Sequence, residues 1–454
     1  MTLQGKHIVV GISGGIAAYK APELIRLLIK QGAEVKVVAT RNALQFVTEL
    51  TLRTLSGHPV YWDVFAAVNQ HSTEHISLPD WADLMLIAPA TANVIGKMAG
   101  GIADDALTTT FSATVARHPV VVAPAMNDKM YSNPATQTAL RQLAGQSRIM
   151  VVDCAEGQLA CGTVGKGRMQ EPEVLIEACQ MALTPQSLEG HHVLITAGPT
   201  RERIDPVRYV SNDSSGKMGY ALARECLHRG ARVTLVSGPT HLQIAAVPLW
   251  AASENPQPLH NEKPLTLVPV ESAQDMYEAV VNCFMDDAHE GSKRPDMTIL
   301  SAAVADFTPA EPARQKRKKQ PGQTEMMLPM VLTRDIAATL GQHKQQEQRL
   351  IGFALETENE EQNAIRKLES KNLDMIVLNS LRDAGAGFGV DTNKVTLLIR
   401  NTQNTSNTLN TNTPNTPNTP SINIIKEDLP LLSKQEVASR IVNAIESSWG
   451  SFIP

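Results

Sequence analysis

Two parts of the chain set glycine, hydroxyl and amide side chains directly after short apolar runs, where they can meet a ligand. In the first, Gly11-Ile-Ser-Gly-Gly15 ends the run His7–Ile12 and opens a helical stretch. Gly14 and Gly15 let a phosphate approach the backbone, the helix start favours its charge, and Ser13 adds a hydroxyl donor. The spacing is not GxGxxG, so the common dinucleotide fingerprint is absent, and many ligand-free α/β turns look the same. Ala88-Pro-Ala-Thr-Ala-Asn93 leaves room for a flat ring beside Thr91. Pro124-Ala-Met-Asn127 offers an amide that can grip a carboxylate or, equally, cap the next helix. His75 is a candidate base, although a lone histidine is more often a surface or satisfied core residue. Cys161 sits in the glycine-rich stretch Gly157–Met169, which suggests a mobile flap carrying a thiol, against the usual buried, inert cysteine.

The second part runs from Thr196 to Gly219. It is a long polar connection in which Gly198, Ser214, Ser215 and Gly216 can offer donors to phosphates. The Walker A pattern is absent, and a long capped loop is the plain alternative. Lys316-Arg-Lys-Lys319 would read as a nucleic-acid patch or a solvated charge run in a basic protein, but this chain carries a net charge of −5. Lys367 and Lys371 are i, i+4 neighbours and share a helix face.

The elements that must position these residues follow from hydropathy. A chain of 454 residues suggests two domains. Only 4% is aromatic, so Val, Ile, Leu, Ala and Met build the cores, which favours parallel α/β sheets. Apolar runs at His7–Ile12, Val35–Ala39, Leu84–Ala88, Val120–Ala123 and Ile149–Val152 alternate with helical stretches, the pattern of a doubly wound sheet. The alternation restarts at His192–Thr196 and continues through Arg232–Ser237, Met297–Ala302, Leu350–Phe353, Met375–Leu378 and Val395–Ile399. The boundary is expected in Thr184–Gly190. Asn401–Pro420 is almost pure Asn, Thr and Pro and reads as a surface loop joining two strands of a hairpin. Ala252–Leu265 reads as a loop insertion. No apolar run is long enough for a membrane span, the first run reads as a buried strand and not a signal peptide, and five cysteines without a CxxC pair fit a reduced, cytoplasmic setting.

Together these residues come in a familiar order. Residues 5–180 resemble the flavin-dependent cysteine decarboxylases, in their phosphopantothenoylcysteine decarboxylase branch, and residues 191–447 resemble the phosphopantothenate–cysteine ligases. The resemblance implies a flavodoxin-like decarboxylase domain over 1–188 and a Rossmann-like α/β ligase domain over 189–454. It implies FMN against Ser13, Gly14, Gly15, Thr40, Ala90 and Thr91. Asn127 would hold the substrate carboxylate, His75 would act as base and Cys161 would return a proton. In the ligase, Asp306, Phe353, Lys367 and Lys371 match positions that bind CTP, and Lys316 matches a lysine on a closing loop. Asn212 matches the residue that guards an acyl-cytidylate, with Arg208 and Ala303 beside it, and Mg²⁺ would be held mainly through the nucleotide phosphates. The expected partners are 4′-phosphopantothenate, L-cysteine and CTP, with neither nucleic acid nor membrane. A homo-oligomer of trimeric decarboxylase and dimeric ligase domains is implied, with decarboxylase sites between protomers and a dodecamer as one possible assembly. The chain departs from the family pattern at Tyr131, where Trp is usual, at Arg203, and at Thr333-Arg-Asp335. Two alternatives stay open: loss or change of activity in one half, and a flavin-storing or regulatory protein.

Overall fold

The computed structural model describes residues 3–65, 74–158, 162, 164–244, 247–249, 264–285, 294–318, 321, 324–356, 358–380, 387, 389–401 and 423–448. They fall into two compact units, Met1–Pro185 with Ala245–Asn261, and Gln186–Ile244 with Glu262–Pro454. Among the described residues no helix is long and apolar enough to cross a membrane.

In the first unit, β1 (His7–Ile12), β2 (Glu34–Ala39), β3 (Val60–Tyr61), β4 (Leu84–Ala90), β5 (Val120–Pro124) and β6 (Ile149–Val151) form one parallel sheet in the order β3-β2-β1-β4-β5-β6. The strands are continuous apolar runs because both faces are covered: Ile8, Val10 and Ile12 enter one core and Val9 the other. Helices α1 (Ala21–Lys30), α2 (Glu49–Ser56), α3 (Glu74–Trp81), α4 (Ala92–Ala99), α5 (Ala106–Thr114), α6 (Asp128–Tyr131), α7 (Pro134–Ala144) and α8 (Pro172–Ala182) supply that cover. In α1 a proline in the first turn starts the helix, and Leu24, Ile25 and Leu28 form its buried stripe. Asp105 caps α5, accepting from the Thr108 N–H at 2.9 Å. A two-stranded antiparallel hairpin, β7 (Ala155–Gln158) and β8 (Val164–Arg168), follows the sheet. The strand order turns between β1 and β4, so the ligand crevice of such a sheet lies outside their carboxyl ends. Val247 joins the core of this unit, and the Asp153 N–H donates to the Pro248 carbonyl at 2.6 Å.

In the second unit, β9 (His192–Ala197), β12 (Arg232–Ser237), β13 (Leu265–Pro269), β14 (Met297–Leu300), β17 (Arg349–Glu356) and β18 (Met375–Ser380) run parallel. They are extended by antiparallel β20 (Val395–Arg400) and β21 (Ile424–Asp428), in the order β13-β12-β9-β14-β17-β18-β20-β21. Its helices are α9 (Lys217–His228), α10 (Ala273–Met285), α11 (Ile336–His343), α12 (Glu360–Ser370) and α13 (Lys434–Ser448). Three small ribbons complete it: β10 (Arg201–Arg203) with β11 (Tyr209–Ser211), β15 (Phe307–Pro309) with β16 (Met330–Leu332), and β19 (Thr392–Asn393) with β22 (Leu432–Ser433). The strands on either side of the Asn/Thr/Pro tract pair antiparallel, closed by Asn401 N–H to Asn423 O at 2.8 Å, while the tract beyond Asn401 lies outside the described residues. So does most of Ala252–Leu265.

Candidate functional site

Four sheet loops and the β7–β8 hairpin surround a cavity of about 1170 Å³ at the carboxyl ends of β1, β2, β4 and β5. Gly14 and Gly15 line it after β1, Thr40 and Arg41 after β2, Thr91 and Asn93 before and in α4, Asn127 after β5, and Gln158, Gly167 and Arg168 from the hairpin. Sterics explain the first glycine: a Cβ on Gly14 would lie 2.5 Å from Asn42 Cβ and 2.9 Å from its carbonyl carbon. The hairpin approaches as closely, since a Cβ on Gly167 would lie 2.3 Å from the Met126 carbonyl oxygen. The Met126 N–H donates to the Gly167 carbonyl at 2.9 Å and fixes that approach.

Ser13 is placed differently from its expected role. Its hydroxyl is fully buried, donates to the Pro89 carbonyl at 2.8 Å and accepts from the Thr91 N–H at 2.9 Å. It therefore ties the β1 turn to the β4 turn from behind the cavity lining, which Ala90, also fully buried, does not join either. Asn127 is the helix cap that was one of its two readings, and it also faces the cavity. It lines the cavity, and its Oδ1 accepts from the Lys129 N–H at 3.0 Å as the N-cap of α6. Tyr131, which stands where the resembled family usually has Trp, is outside the lining. Its ring is buried, and its hydroxyl donates to Asp153 Oδ1 at 2.6 Å while Lys166 Nζ meets Asp153 Oδ2 at 2.5 Å. His75 lies half-buried on α3 and is not brought to this cavity by its own chain. Cys161 lies outside the described residues, between the two strands of the hairpin. Burial pushes the thiols of Cys154 and Cys226 up to about 12 and raises that of Cys179 as well, so these three are inert near neutrality.

Charge at the cavity comes from residues that patterning did not single out. Lys20 is held by Glu171 at 2.7 Å, Arg168 by Glu171 at 3.0 Å, and Lys97 by Asp104 at 2.7 Å, a hydrogen bond that raises the lysine's pKa. Among the described residues Arg41 has no carboxylate partner. Its guanidinium carbon lies 5.8 Å from the Trp62 ring, next to Thr40 and across the turn from Gly14. A glycine turn with an uncompensated guanidinium beside it is an anion cradle, and the remaining volume suits a flat organic body.

In the second unit Gly198 adopts φ +77° and Gly216 φ +79°, the left-handed region that glycine tolerates, at the two ends of the long connection after β9. Asn212 Nδ2 donates to the carbonyls of Ala303 and Val304 at 3.0 and 3.3 Å, so the structure brings Asn212 and Ala303 together. Arg208 donates to Asp205 Oδ2 through Nη2 at 2.5 Å and to the Arg317 carbonyl at 2.9 Å. That guanidinium, first among the causes, holds the Asp205 carboxyl far below the usual range. The knot anchors the stem that carries Lys316, whose side chain is exposed. Lys367 pairs with Glu356 at 2.6 Å and Lys371 with Asp335 at 2.8 Å. Asp306 is exposed and Phe353 is half-buried on β17. The Lys371 N–H donates to the Lys367 carbonyl at 3.1 Å at the end of α12, and among the described residues no hydrogen bond or ion pair joins either lysine to Lys316. Among those residues, too, no group of three His, Cys, Asp or Glu is placed to hold a metal.

Residues 1–184 match the family model described as Flavoprotein, and residues 188–415 match the DNA/pantothenate metabolism flavoprotein C-terminal domain. The Coenzyme A biosynthesis bifunctional protein CoaBC of Bacillus subtilis is 44% identical over 446 residues, covering 98% of this chain and 97% of that relative. Its counterpart from Vibrio cholerae is 41% identical over 444 residues, 98% of each. A cysteine/cysteine sulfinic acid decarboxylase from an unknown prokaryotic organism is 45% identical over 357 residues, 78% of this chain and 91% of that protein.

Proposed function

The chain belongs to the family of coenzyme A biosynthesis bifunctional proteins and is a bifunctional decarboxylase and ligase, and from that premise we propose how its residues divide the work. The first unit decarboxylates 4′-phosphopantothenoylcysteine. The cavity suits FMN: the Gly14-Gly15 turn and Arg41 would hold its phosphate, and Thr91 and Asn93 would meet its ring. Bound FMN would supply a reversible electron sink, without which a carboxyl group beside an amide nitrogen has nowhere to leave its electrons. Asn127, at the mouth of β5, holds the departing carboxylate. Cys161, carried by the hairpin whose Gln158, Gly167 and Arg168 already line the cavity, protonates the product carbon. His75 acts as base on the cavity of a neighbouring subunit, which accounts for its absence from the lining of its own and makes the decarboxylase a homo-oligomer with shared sites, a trimer by analogy.

The second unit makes the decarboxylase's substrate from 4′-phosphopantothenate, L-cysteine and CTP. Attack of the carboxylate on the nucleotide's α-phosphate gives an acyl-cytidylate and pyrophosphate, and the cysteine amine then displaces CMP. Asp306, Phe353, Lys367 and Lys371 hold the nucleotide, Lys316 closes over it, and Mg²⁺ offsets the crowded phosphates. Asn212, held on the Ala303 and Val304 carbonyls, shields the activated acyl group, with Arg208 holding the loop. A dimeric ligase and a cytoplasmic location complete the reading.

The observation that carries this assignment is the convergence of Gly14, Gly15, Thr40, Thr91 and Asn127 with Arg41 on one cavity. The test is direct. The purified full chain is expected to show flavin absorbance. Given phosphopantothenate, cysteine, Mg²⁺ and CTP, it should release pyrophosphate and carbon dioxide and form 4′-phosphopantetheine. Replacing CTP with ATP tests the nucleotide. A colourless protein that takes up no FMN, yet releases pyrophosphate, would remove the first half of the assignment and leave the second.

A further inference from the structure

We propose that the second unit carries a phosphate-binding site, separate from the nucleotide positions, held by Arg201 and Arg334. A cavity of about 490 Å³ lies among β10, the start of α10 and the β15–β16 ribbon. None of the residues assigned above to the nucleotide or the acyl intermediate lines it. Two departures from the ligase pattern, Arg203 and Thr333-Arg334, are remote in sequence and converge on it.

Three carboxylates and three guanidiniums line the cavity, and the decisive question is which of them already have partners. Glu202 is buried and accepts from the Ala273 N–H at 2.8 Å. Asp275 accepts from the Ser272 N–H at 2.9 Å. Both therefore offset amides at the start of α10. Glu271 is paired with Arg203. Arg201 and Arg334 remain, and their partners among the described residues are rings. The guanidinium carbon of Arg201 lies 4.7 Å from the Tyr209 ring centre, and that of Arg334 lies 5.1 Å from the Tyr277 ring centre. A ring face orients a guanidinium but neither neutralises it nor occupies its N–H fork. Two such forks at one cavity match a phosphate group, which accepts bidentate bonds. The volume of about 490 Å³ leaves room for a body beyond the phosphate. The ligand's class is a phosphate monoester.

The site is wired to the reacting loop. The Thr333 N–H donates to the Asp306 carbonyl at 2.9 Å, and the Thr333 hydroxyl to the Ala305 carbonyl at 2.7 Å. An occupant of the cavity therefore bears on the same loop whose Ala303 and Val304 carbonyls hold Asn212. The phosphate could come from the ligase's own phosphorylated acid or from a second phosphorylated molecule.

The experiment uses the full chain, loaded with FMN and saturated with CTP so that those sites are filled, and titrates inorganic phosphate by ³¹P line broadening and calorimetry. Saturable binding is expected, weakened about tenfold by Arg201→Gln and by Arg334→Gln, with CTP affinity unchanged. Arg334→Lys, which keeps the charge and loses the fork, should fall between and serves as the reading if the Gln variant folds poorly. If Arg334→Gln also raises KM for 4′-phosphopantothenate tenfold at constant kcat, the phosphate is the substrate's own. If KM stays constant, a separate molecule is the ligand. Absence of saturable phosphate binding in the parent, or equal binding by the Arg201→Gln/Arg334→Gln double variant, overturns the site, whatever the ligase activity does.

Discussion

Replacing Gly14 by Ala adds one methyl group at the place where the structure has least room for it. The new Cβ would stand 2.5 Å from Asn42 Cβ, 2.9 Å from the Asn42 carbonyl carbon and 3.1 Å from its oxygen. Those atoms are backbone or fixed to it, so the β2 loop must move and not merely a side-chain tip. Overpacking of this kind costs about 1–3 kcal/mol. The loop that moves carries Arg41, the cation proposed for the flavin phosphate, and a charged hydrogen bond lost there is worth about 1.5–3 kcal/mol. FMN affinity should therefore fall by about 10- to 150-fold, measured by quenching of flavin fluorescence on titration into apoprotein. Gly96→Ala provides the matched control. Gly96 lies within α4, and its Cβ would meet nothing within 4 Å. That change should stabilise the protein by about 0.5–1 kcal/mol through helix propensity, with FMN affinity unchanged. If Gly14→Ala binds FMN like the parent while remaining folded, the phosphate is not held at this turn.

Asn212→Asp replaces the amide N–H group that meets the Ala303 and Val304 carbonyls with a carboxylate facing them, so the acyl-cytidylate should accumulate or escape with little amide formed. Quenched-flow separation of the nucleotide products checks this, and a parental yield of amide removes the role. Cys161→Ser should stop at the decarboxylated, still oxidised enethiol, seen by mass spectrometry of the product, while normal thiol formation refutes the proton-donor assignment. Tyr131→Phe deletes the 2.6 Å bond to Asp153 and should lower stability by about 1–3 kcal/mol in urea unfolding, with FMN affinity close to the parent's because the ring is outside the cavity lining. For Asp205 the folded pKa lies below the unfolded value near 3.9, so its stabilisation is complete above that value, declines as pH falls below it and is fully lost only once pH has fallen through the folded pKa. Acid unfolding of Asp205→Asn should accordingly lose part of the parent's dependence below pH ~4, and identical profiles would show that the Arg208 pair does not contribute.

The sheets were legible because parallel strands buried on both faces need long apolar runs, and Ile8–Ile12 or Val193–Ala197 can satisfy little else. The ribbons were not. Strands of two to five residues such as Arg201–Arg203 or Gly165-containing β8 carry no apolar period, and they exist because their partners hold them. The same division runs through the sites. Gly14, Thr91 and Asn127 were visible because each lies just beyond the carboxyl end of a strand, where a doubly wound sheet presents its ligands. Ser13, one position earlier in the turn, is outside the lining, and its hydroxyl bonds Pro89. Arg41 and Arg168 carry no local signal, since a guanidinium on a loop gains meaning only from which carboxylates do or do not reach it.

That last point governs both halves of the chain. Spacing in sequence can show where a carboxylate or a cation will stand, but whether its charge remains available for a ligand depends on every neighbour that folding brings. Lys20, Lys97 and Arg168 stand at the flavin cavity and are already paired, whereas among the described residues Arg41 meets the Trp62 ring and no carboxylate. Arg203 and Arg334 share one cavity in the ligase unit, yet Glu271 takes the first and, among the described residues, an aromatic face alone meets the second. Salt should therefore act unequally on the two kinds of cation. Sites built on unpaired guanidiniums should lose phosphate affinity as ionic strength rises, while the paired lysines have little long-range field left to screen.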